Sequence, residues 1–558
     1  MTRALDVWSP GWREETVSQL ATQKFEWDLV VVGGGITGAG IYREAAGRGL
    51  RVLLLEQRDF AWGTSSRSSK MVHGGLRYLG SGQFSLAKDS VKERQQLMEA
   101  LPGLVDPLPF LMGHYKGGFP GPWIFDKLLA IYDWMAGKRF RKFIEGGVAD
   151  RWAPGIKTEN LLGLTRFQDA VTDDARLVMR VLHAGNREGG TAINYATVLK
   201  PIRRGNKVEG VEFRDELSGD VVNVMAKAVV NATGAWTDTL RESLGQNKVI
   251  RPLRGSHLVV PSWRLPVAFT ISFFHPKDKR PVFVFPWEGV SVIGTTDLDH
   301  RTGLGDEASI SEEEVGYLLD AVNHQFSHAK LVASDVISTW SGVRPVVSKQ
   351  NGDSVDLNTE NDPSDENREH VIWNDDGLIS VAGGKLTTYR LIALDVLRQL
   401  MTVIPEKLAA ESLAEPLPFE LRSAKLHGKN KSLGGAALLR LAGRYGPNAE
   451  SVVACADEYD IAGPKQVSWT DTLWSELVWA CQSELVEHLD DLLLRRTRIG
   501  ILLEQGGEAQ FPYIQKICEQ NLGWDSQRWQ GECERYQQII ASHYAVPSNN
   551  AVDAKESV

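Results

Sequence analysis

Cysteine is scarce in this chain: there are four in 558 residues, Cys455, Cys481, Cys518 and Cys533. All lie in the last quarter and no two form a C-x-x-C pair, which excludes a cysteine-bound metal site and a disulfide framework and suits a reducing compartment. A surplus of basic residues is also missing. Lys and Arg total 62 against 71 Asp and Glu, a formal charge of -9, so a nucleic-acid partner is excluded. A small anionic ligand is not, because a local cluster of cations can hold one inside an acidic protein. Long apolar runs are absent too. No stretch reaches the roughly 20 residues that cross a bilayer, and the opening MTRALDVWSPGWREETVSQL has no apolar signal core. A cytoplasmic protein is therefore expected, with any membrane contact peripheral.

Hydrophobic residues make up 42% and charged residues 24%, values of a soluble globular chain, and the length calls for two or three domains. The most informative segment is Trp27–Gln57. Asp28–Val32 reads as a buried strand, and Gly33, Gly35 and Gly38 give the G-x-G-x-x-G spacing at a helix start. Gly33 permits the tight turn, Gly35 lets a pyrophosphate approach the backbone, and Gly38 lets helix and strand pack closely. With Gly34, Ile36 and Thr37 these residues form a helix N-terminus whose N–H groups and dipole suit a diphosphate. Arg51–Leu55 is the second strand, and Glu56 at its end is placed to accept hydrogen bonds from a ribose. The segment grips an adenine dinucleotide.

After Glu56 the run AWGTSSRSSKMVHGGLRYLGSG is rich in small hydroxyl residues, glycine and cations, a composition for chain that winds close to a ligand. Helices are expected over Phe84–Leu101, Asp169–Gly189 and Ser311–Asn323, the last with Ser at its cap and acids in its first turn. Strands are expected at Asn194–Leu199, Val208–Phe213, Val221–Val230 and through Arg254–Asp297. Nucleotide-like turns recur at ATGAW, with Ala232, Thr233, Gly234 and Trp236, and at AGGKLTTYR, with Gly384, Lys385, Leu386 and Thr387. They lie hundreds of residues from the first turn, which favours an extended FAD over a nicotinamide dinucleotide. Asn351–His370 is a polar loop. Beyond about Ile404 helix formers dominate.

These segments together resemble the FAD-dependent glycerol-3-phosphate dehydrogenases of the aerobic, quinone-reducing type. The resemblance rests on VVGGGITGAGI, TSSRSSKMVHGGLRYL, QDAVTDDARL, NATGAW, VFPWEGVSVIGTTD, SGVRP, AGGKLTTYR and ELVWACQSELVEHLDDLLLRRTR, and covers Asp28 to about Leu503. It implies an α/β fold: a glutathione-reductase-like FAD-binding Rossmann domain with a β-rich substrate-capping domain and an all-α C-terminal domain. The expected limits are 25–105, 160–255 and 365–403 for the FAD domain, 106–159 and 256–364 for the cap, and 404–546 for the helical domain. A tail, 547–558, is expected to be disordered. The implied chemistry is oxidation of sn-glycerol 3-phosphate to dihydroxyacetone phosphate, with electrons passed from FAD to a membrane quinone. The rival readings are an oxygen-reducing oxidase and a flavin-binding scaffold without turnover.

The same resemblance makes Arg77, Arg344 and Lys385 the substrate-binding cations, with Tyr78 as a phenolic donor. Arginine suits a phosphate because its planar fork gives two parallel hydrogen bonds. Arg344 is also counted with the catalytic group. His73 is the expected base for the C2 hydroxyl, since its ordinary pKa lies near 6.5, and His275 is its rival. Thr64, Ser65, Ser68, Ser69, Lys70, His73 and Gly74 are expected against the cofactor, and Thr296 in the substrate cavity. Asp174 and Arg176 read as the ion pair of a helix start. Finally, Gly121–Phe143 combines Trp123, Ile124, Phe125, Leu128, Leu129, Tyr132 and Trp134 with Lys138, Arg139, Arg141 and Lys142. Such a helix suits the surface of an anionic lipid, which places the protein on the inner face of the cell membrane. A homodimer is compatible with the sequence.

Overall fold

The computed structural model describes residues 7–22, 26–80, 82–348, 369–419, 433–458 and 465–547, without the side chains of Arg77 and of residues 456–458. Its first layer is built around the strand Trp27–Val32, buried at every position. A strand covered on both faces reads as an unbroken apolar run, and parallel pairing follows from helical crossovers. Val52–Leu55 lies parallel on one side and Val221–Asn231 on the other. Thr191–Ile193 and Leu378–Ala382 extend the sheet at the two flanks, also parallel, and the edge strand Val371–Asp375 is antiparallel. The helix Ile36–Ala46 covers one face together with Asp174–Arg187 and Tyr389–Leu400. Leu29, Val31, Ile41, Tyr42, Val178 and Ile392 form the core between them.

The second sheet has ten strands. Ile250–Pro261 sits between Val290–Gly294 and Ser338–Val347, antiparallel to both. Leu161–Thr172 pairs along its length with Val105–Tyr115, so this strand stands in the second sheet, although the sequence limits assigned residues from 160 onward to the first domain. Its extension through Gln168–Thr172 also delays the helix expected from Asp169. That helix runs Asp174–Arg187, because Asp173 is the side chain that caps it, accepting from the Arg176 N–H. The two-residue strand Met71–Val72 joins Leu161–Thr172. The chain therefore passes from the first sheet to the second immediately after Lys70. Most of the polar loop expected at 351–370 lies outside the described residues, as do 548–558 of the tail.

The helices Gly435–Tyr445, Ala449–Glu458, Trp474–Ser483, Phe511–Leu522 and Ser526–Ile539 make the third unit. It shares a core with the second sheet, where Phe110, Trp287, Val292 and Trp340 meet Leu477, Leu492, Leu493 and Tyr536. The N-terminal helix Trp12–Thr22, to which the sequence lent no role, is tied to the first sheet by a buried arginine. Arg13 donates to Asp215 at 2.5 Å and to the carbonyls of Asn194 and Tyr195.

Two helical glycines separate packing from propensity. A Cβ at Gly38 would stand 1.9 Å from the Gly33 carbonyl oxygen, whereas one at Gly316, in the helix Glu312–Gln325, would meet nothing within 4 Å. Gly38→Ala is expected to cost about 1–3 kcal/mol by overpacking, and Gly316→Ala to gain about 0.5–1 kcal/mol by helix propensity. Thermal unfolding of the two variants checks this, and equal shifts would refute it.

Candidate active site

The first glycine turn is as tight as its spacing demands. Gly33 has φ +111°, and a Cβ there would lie 2.6 Å from the Ala232 carbonyl oxygen, a conformation and an approach open to glycine. Gly35 faces the Ser65 hydroxyl, which accepts from the Ile36 N–H at 2.9 Å. Glu56, at the end of the second strand, accepts from the Gly34 N–H at 2.6 Å and from the Arg58 N–H at 3.0 Å. Burial raises the pKa of its carboxyl above the ordinary value, against the pull of those two N–H groups. A glycine-lined backbone cradle, a helix N-terminus and a carboxylate at the end of the second strand are a donor and acceptor set that fits the adenosine diphosphate of a dinucleotide. Ala232 donates its N–H to the Val32 carbonyl. Trp236 packs its ring over Gly63 and beside Trp62.

The segment Asp59–Lys70 then runs between this turn and the second sheet. The Thr64 hydroxyl donates to the Val343 carbonyl at 2.5 Å, and Trp340 donates its indole N–H to the Ser68 carbonyl at 3.1 Å. Gly342 makes the contact possible, since a Cβ there would be 2.5 Å from the Arg67 carbonyl oxygen. Ser68 and Lys70, expected to touch the cofactor, have side chains that hold this segment instead. Ser68 donates to Asp174 through both its N–H and its hydroxyl, and the Lys70 ammonium reaches Asp174 at 2.8 Å and the Ser66 carbonyl at 2.6 Å. Lys70 has no solvent exposure. Arg176 does not pair with Asp174; it forms a two-pronged bond to Glu484 of the helical unit.

Ser69 leads to a residue the sequence reading passed over. Its hydroxyl lies 2.8 Å from Nε2 of His257, whose ring stacks on Trp340. His257 is buried, and desolvation with the charges of Arg344 and Lys70 holds its pKa well below 6.5. The same face of the sheet carries Arg344, which donates to Asp297 at 2.9 Å and to the Thr295 hydroxyl at 3.2 Å and is 27% exposed. Two glycines clear the ground for these side chains. A Cβ at Gly255 would touch the Arg344 guanidinium at 2.1 Å, and one at Gly294 would touch the His257 ring at 2.2 Å. The signal in the sequence was a histidine two positions after glycine in RGSHLVV, inside a strand that read as apolar. Thr296, expected in the cavity, is turned away: its hydroxyl donates to Glu314 at 2.6 Å and accepts from the Ser256 N–H. Thr295 occupies the place beside Arg344. His275 has both ring nitrogens engaged, with the Tyr317 carbonyl and the Lys277 N–H, and stacks on Tyr317.

A second group joins motifs far apart in the chain. The Thr387 hydroxyl exchanges two hydrogen bonds of 3.1 Å with the main chain of His73. Gly74 donates its N–H to Asp169, which also accepts from Arg94 at 2.6 Å and from the Tyr132 hydroxyl at 2.5 Å. The Lys385 ammonium lies 3.3 Å from the centre of the Tyr78 ring, a cation–π contact, and Gly75 makes room for that ring. Gly383 and Gly384 both have φ +78° at the turn that presents Lys385. Lys385, Tyr78, Thr387 and His73 are thus brought together as the sequence expected; the side chain of Arg77 is outside the described atoms.

Residues 28–390 match the FAD dependent oxidoreductase family, and residues 418–529 match the C-terminal domain of alpha-glycerophosphate oxidase. An aerobic glycerol-3-phosphate dehydrogenase of Staphylococcus haemolyticus is 34% identical, with 85% of this chain and 87% of the relative covered. Glycerol-3-phosphate dehydrogenase 2 of Mycobacterium tuberculosis is also 34% identical, over 92% of this chain and 88% of its own. The solved structure of the glycerol-3-phosphate dehydrogenase from Bacillus halodurans complexed with FAD matches with a TM-score of 0.75 and 28% identity, covering 96% of this chain and 98% of that one. The cofactor is FAD, and the chain belongs to the FAD-dependent glycerol-3-phosphate dehydrogenase family.

Proposed function

We propose that this protein oxidises sn-glycerol 3-phosphate at C2 to dihydroxyacetone phosphate and delivers the electrons to a membrane quinone. The observation that carries this reading is the pair His257 and Arg344, a neutral imidazole and a partly exposed guanidinium on one sheet face, tied to the cofactor segment through Ser69. When bound, FAD supplies the acceptor for the hydride that leaves C2. The chain supplies the rest. Arg344 and Lys385, with Arg77, hold the phosphate dianion through charge-assisted hydrogen bonds. Tyr78 stacks on Lys385 and fixes its direction. His257, neutral because burial and two cations disfavour its charged form, is the base for the C2 hydroxyl proton. His73 contributes its backbone to the turn held by Thr387 and takes the second place among candidate bases.

Access to a quinone needs an apolar face, and the helix Pro122–Ala136 offers one. It buries Phe125, Leu129 and Tyr132 and turns Trp123 and Trp134 outward, 71% and 75% exposed, beside Phe119 at 79%. Lys127, Lys138, Arg139 and Lys142 are exposed around it, while Arg141 is paired with Asp126 and Asp133. Among the described residues no helix is long and apolar enough to cross a membrane. This surface supports a peripheral seat on anionic lipid, at the inner face of the cell membrane.

Anaerobic addition of glycerol 3-phosphate is expected to bleach the flavin of the holoprotein, and electrons to appear on a quinone analogue. Stoichiometric peroxide in air without quinone turnover would move the reading to the oxidase. Arg344→Ala should raise the substrate concentration needed for bleaching roughly thirtyfold, about 2 kcal/mol of lost charge-assisted bonding, with flavin retained; an unchanged requirement removes Arg344 from the pocket.

The depressed pKa of His257 means that the folded protein keeps this ring neutral while an unfolded one would protonate it below about 6.5. Its burial therefore opposes folding increasingly as pH falls through 6.5, and its base form persists to lower pH. Deuterium exchange at the histidine ring carbon, followed by mass spectrometry, should give His257 a midpoint below 6.5. His257→Asn should lower the bleaching rate roughly a hundredfold or more. A midpoint above 7, or undiminished bleaching, excludes it as the base.

Flotation with vesicles containing anionic lipid should be lost on combined Trp123→Ala, Trp134→Ala and reversal of Lys138 and Arg139. Equal flotation would acquit this face.

A further inference from the structure

The helical unit reaches the cofactor segment through the stretch Leu492–Arg498 and through Tyr544, and every basic residue of that stretch points there. Arg496 clamps Asp59 with both terminal nitrogens at 2.7 Å, and Arg495 donates to the second oxygen of the same carboxylate at 2.5 Å. Asp59 stands three residues after Glu56 and has no solvent exposure. Arg498 donates to the Ser66 carbonyl at 2.7 Å and to the Leu494 carbonyl at 2.8 Å, and lies 3.4 Å from Asp174. Tyr544, from the end of the same unit, accepts from Arg67 at 3.2 Å. Four side chains of the helical unit therefore hold Asp59, Ser66 and Arg67, on both sides of Thr64 and Ser65.

Backbone geometry marks Arg498 as placed for this contact. Its φ is +65°, in the left-handed region that a side-chain-bearing residue enters at a cost of about 1 kcal/mol or more and where glycine is the ordinary choice. Arginine stands there with its side chain 2% exposed. Across the contact Lys70, also at positive φ (+58°), meets the same Ser66 carbonyl and the same Asp174. The Ser66 carbonyl thus accepts from one cation of its own segment and one of the helical unit. It follows directly on Ser65, whose hydroxyl caps the dinucleotide-binding helix.

We infer that the helical C-terminal unit acts as the clamp of the flavin-binding segment, with Arg498 as its positioning residue and the Arg495–Arg496 pair as its second anchor, so that flavin retention and flavin environment depend on side chains remote from the substrate. The role is positional. None of these arginines is assigned to substrate, and their action passes through Ser66, Asp59 and the loop between them. The inference rests on FAD as cofactor and not on the substrate or acceptor proposed above.

The experiment compares holoenzyme variants at matched stability. Arg498→Met is set against Tyr445→Phe, which removes a buried hydrogen bond to Glu476 inside the helical unit, away from the flavin segment. Flavin release is followed by the rise of free-flavin fluorescence on dilution, and the visible absorption band reports the ring environment. Arg498→Met should release FAD at least tenfold faster and alter the band, while Tyr445→Phe should do neither even where its Tm falls as far. Arg498→Lys, which keeps the charge but cannot span both carbonyls, should recover part of the retention. If Arg498→Met does not fold, Tyr544→Phe, which removes the hydroxyl that accepts from Arg67 and leaves the Arg67–Glu307 ion pair in place, should still speed release measurably. Release at the parent rate in the arginine or tyrosine variants, or release that follows Tm alike in all of them, overturns the clamp.

Discussion

Asp174 is the fixed point on which the site depends. It sits at the start of a helix of the first sheet, has no solvent exposure, and accepts from Ser68 and Lys70 while Arg498 approaches from the helical unit. Losing one partner of such a buried charge costs about 3–5 kcal/mol, although the intact arrangement contributes far less against an apolar substitute. Burial and the Arg498 charge draw the Lys70 ammonium down to about 7, with Asp174 pulling the other way. The cluster is therefore held by geometry more than by net attraction. Its effect is to hold a loop that has little core of its own against two sheets and a third domain at once.

The dinucleotide half of the site was legible because its determinants are local. Gly38 is constrained by Gly33 and Val31 just before it and Glu56 meets Gly34 across one βα unit, while Gly33 and Gly35 show in their spacing although the atoms they face, in Ala232 and Ser65, lie outside that unit. The catalytic half was legible only as a set of motifs. The pairing of Lys385 with Tyr78 and the stitching of Thr387 to His73 bring HGGLRY and GGKLTT together. His257 was hidden because what singles it out, an empty position at Gly294 and the arginine lying over Gly255, belongs to neighbouring strands. Thr296 misled for a related reason: just past the strand Val290–Gly294 the capping glutamate Glu314 takes its hydroxyl, and the neighbouring Thr295 is the one beside Arg344. Lys70 and Ser68 looked like ligand contacts since small polar loops serve both ligands and buried carboxylates, and their partner lies more than 100 residues away.

One helix has two unlike faces. Outward, Pro122–Ala136 shows two indole rings and Lys127; inward, Tyr132 meets Asp169, the carboxylate that also receives the Gly74 N–H and Arg94. Because Asp169 shares one oxygen among three donors, the turn between His73 and Gly75 is located by the second sheet and this helix together. The aromatic content of the segment is thus not solely a matter of surface chemistry.

The order of strands in the first sheet has a consequence for synthesis. Trp27–Val32 needs Val221–Asn231 beside it, and that strand in turn needs Leu378–Ala382. A ribosome has emitted almost seven-tenths of the polypeptide before the parallel sheet can close, and the arginines that brace its nucleotide loop emerge later still. Contacts so distant along the chain close slowly, so the early glycine turn must wait, exposed, for its neighbours. Cofactor capture is accordingly a late event in the birth of this molecule.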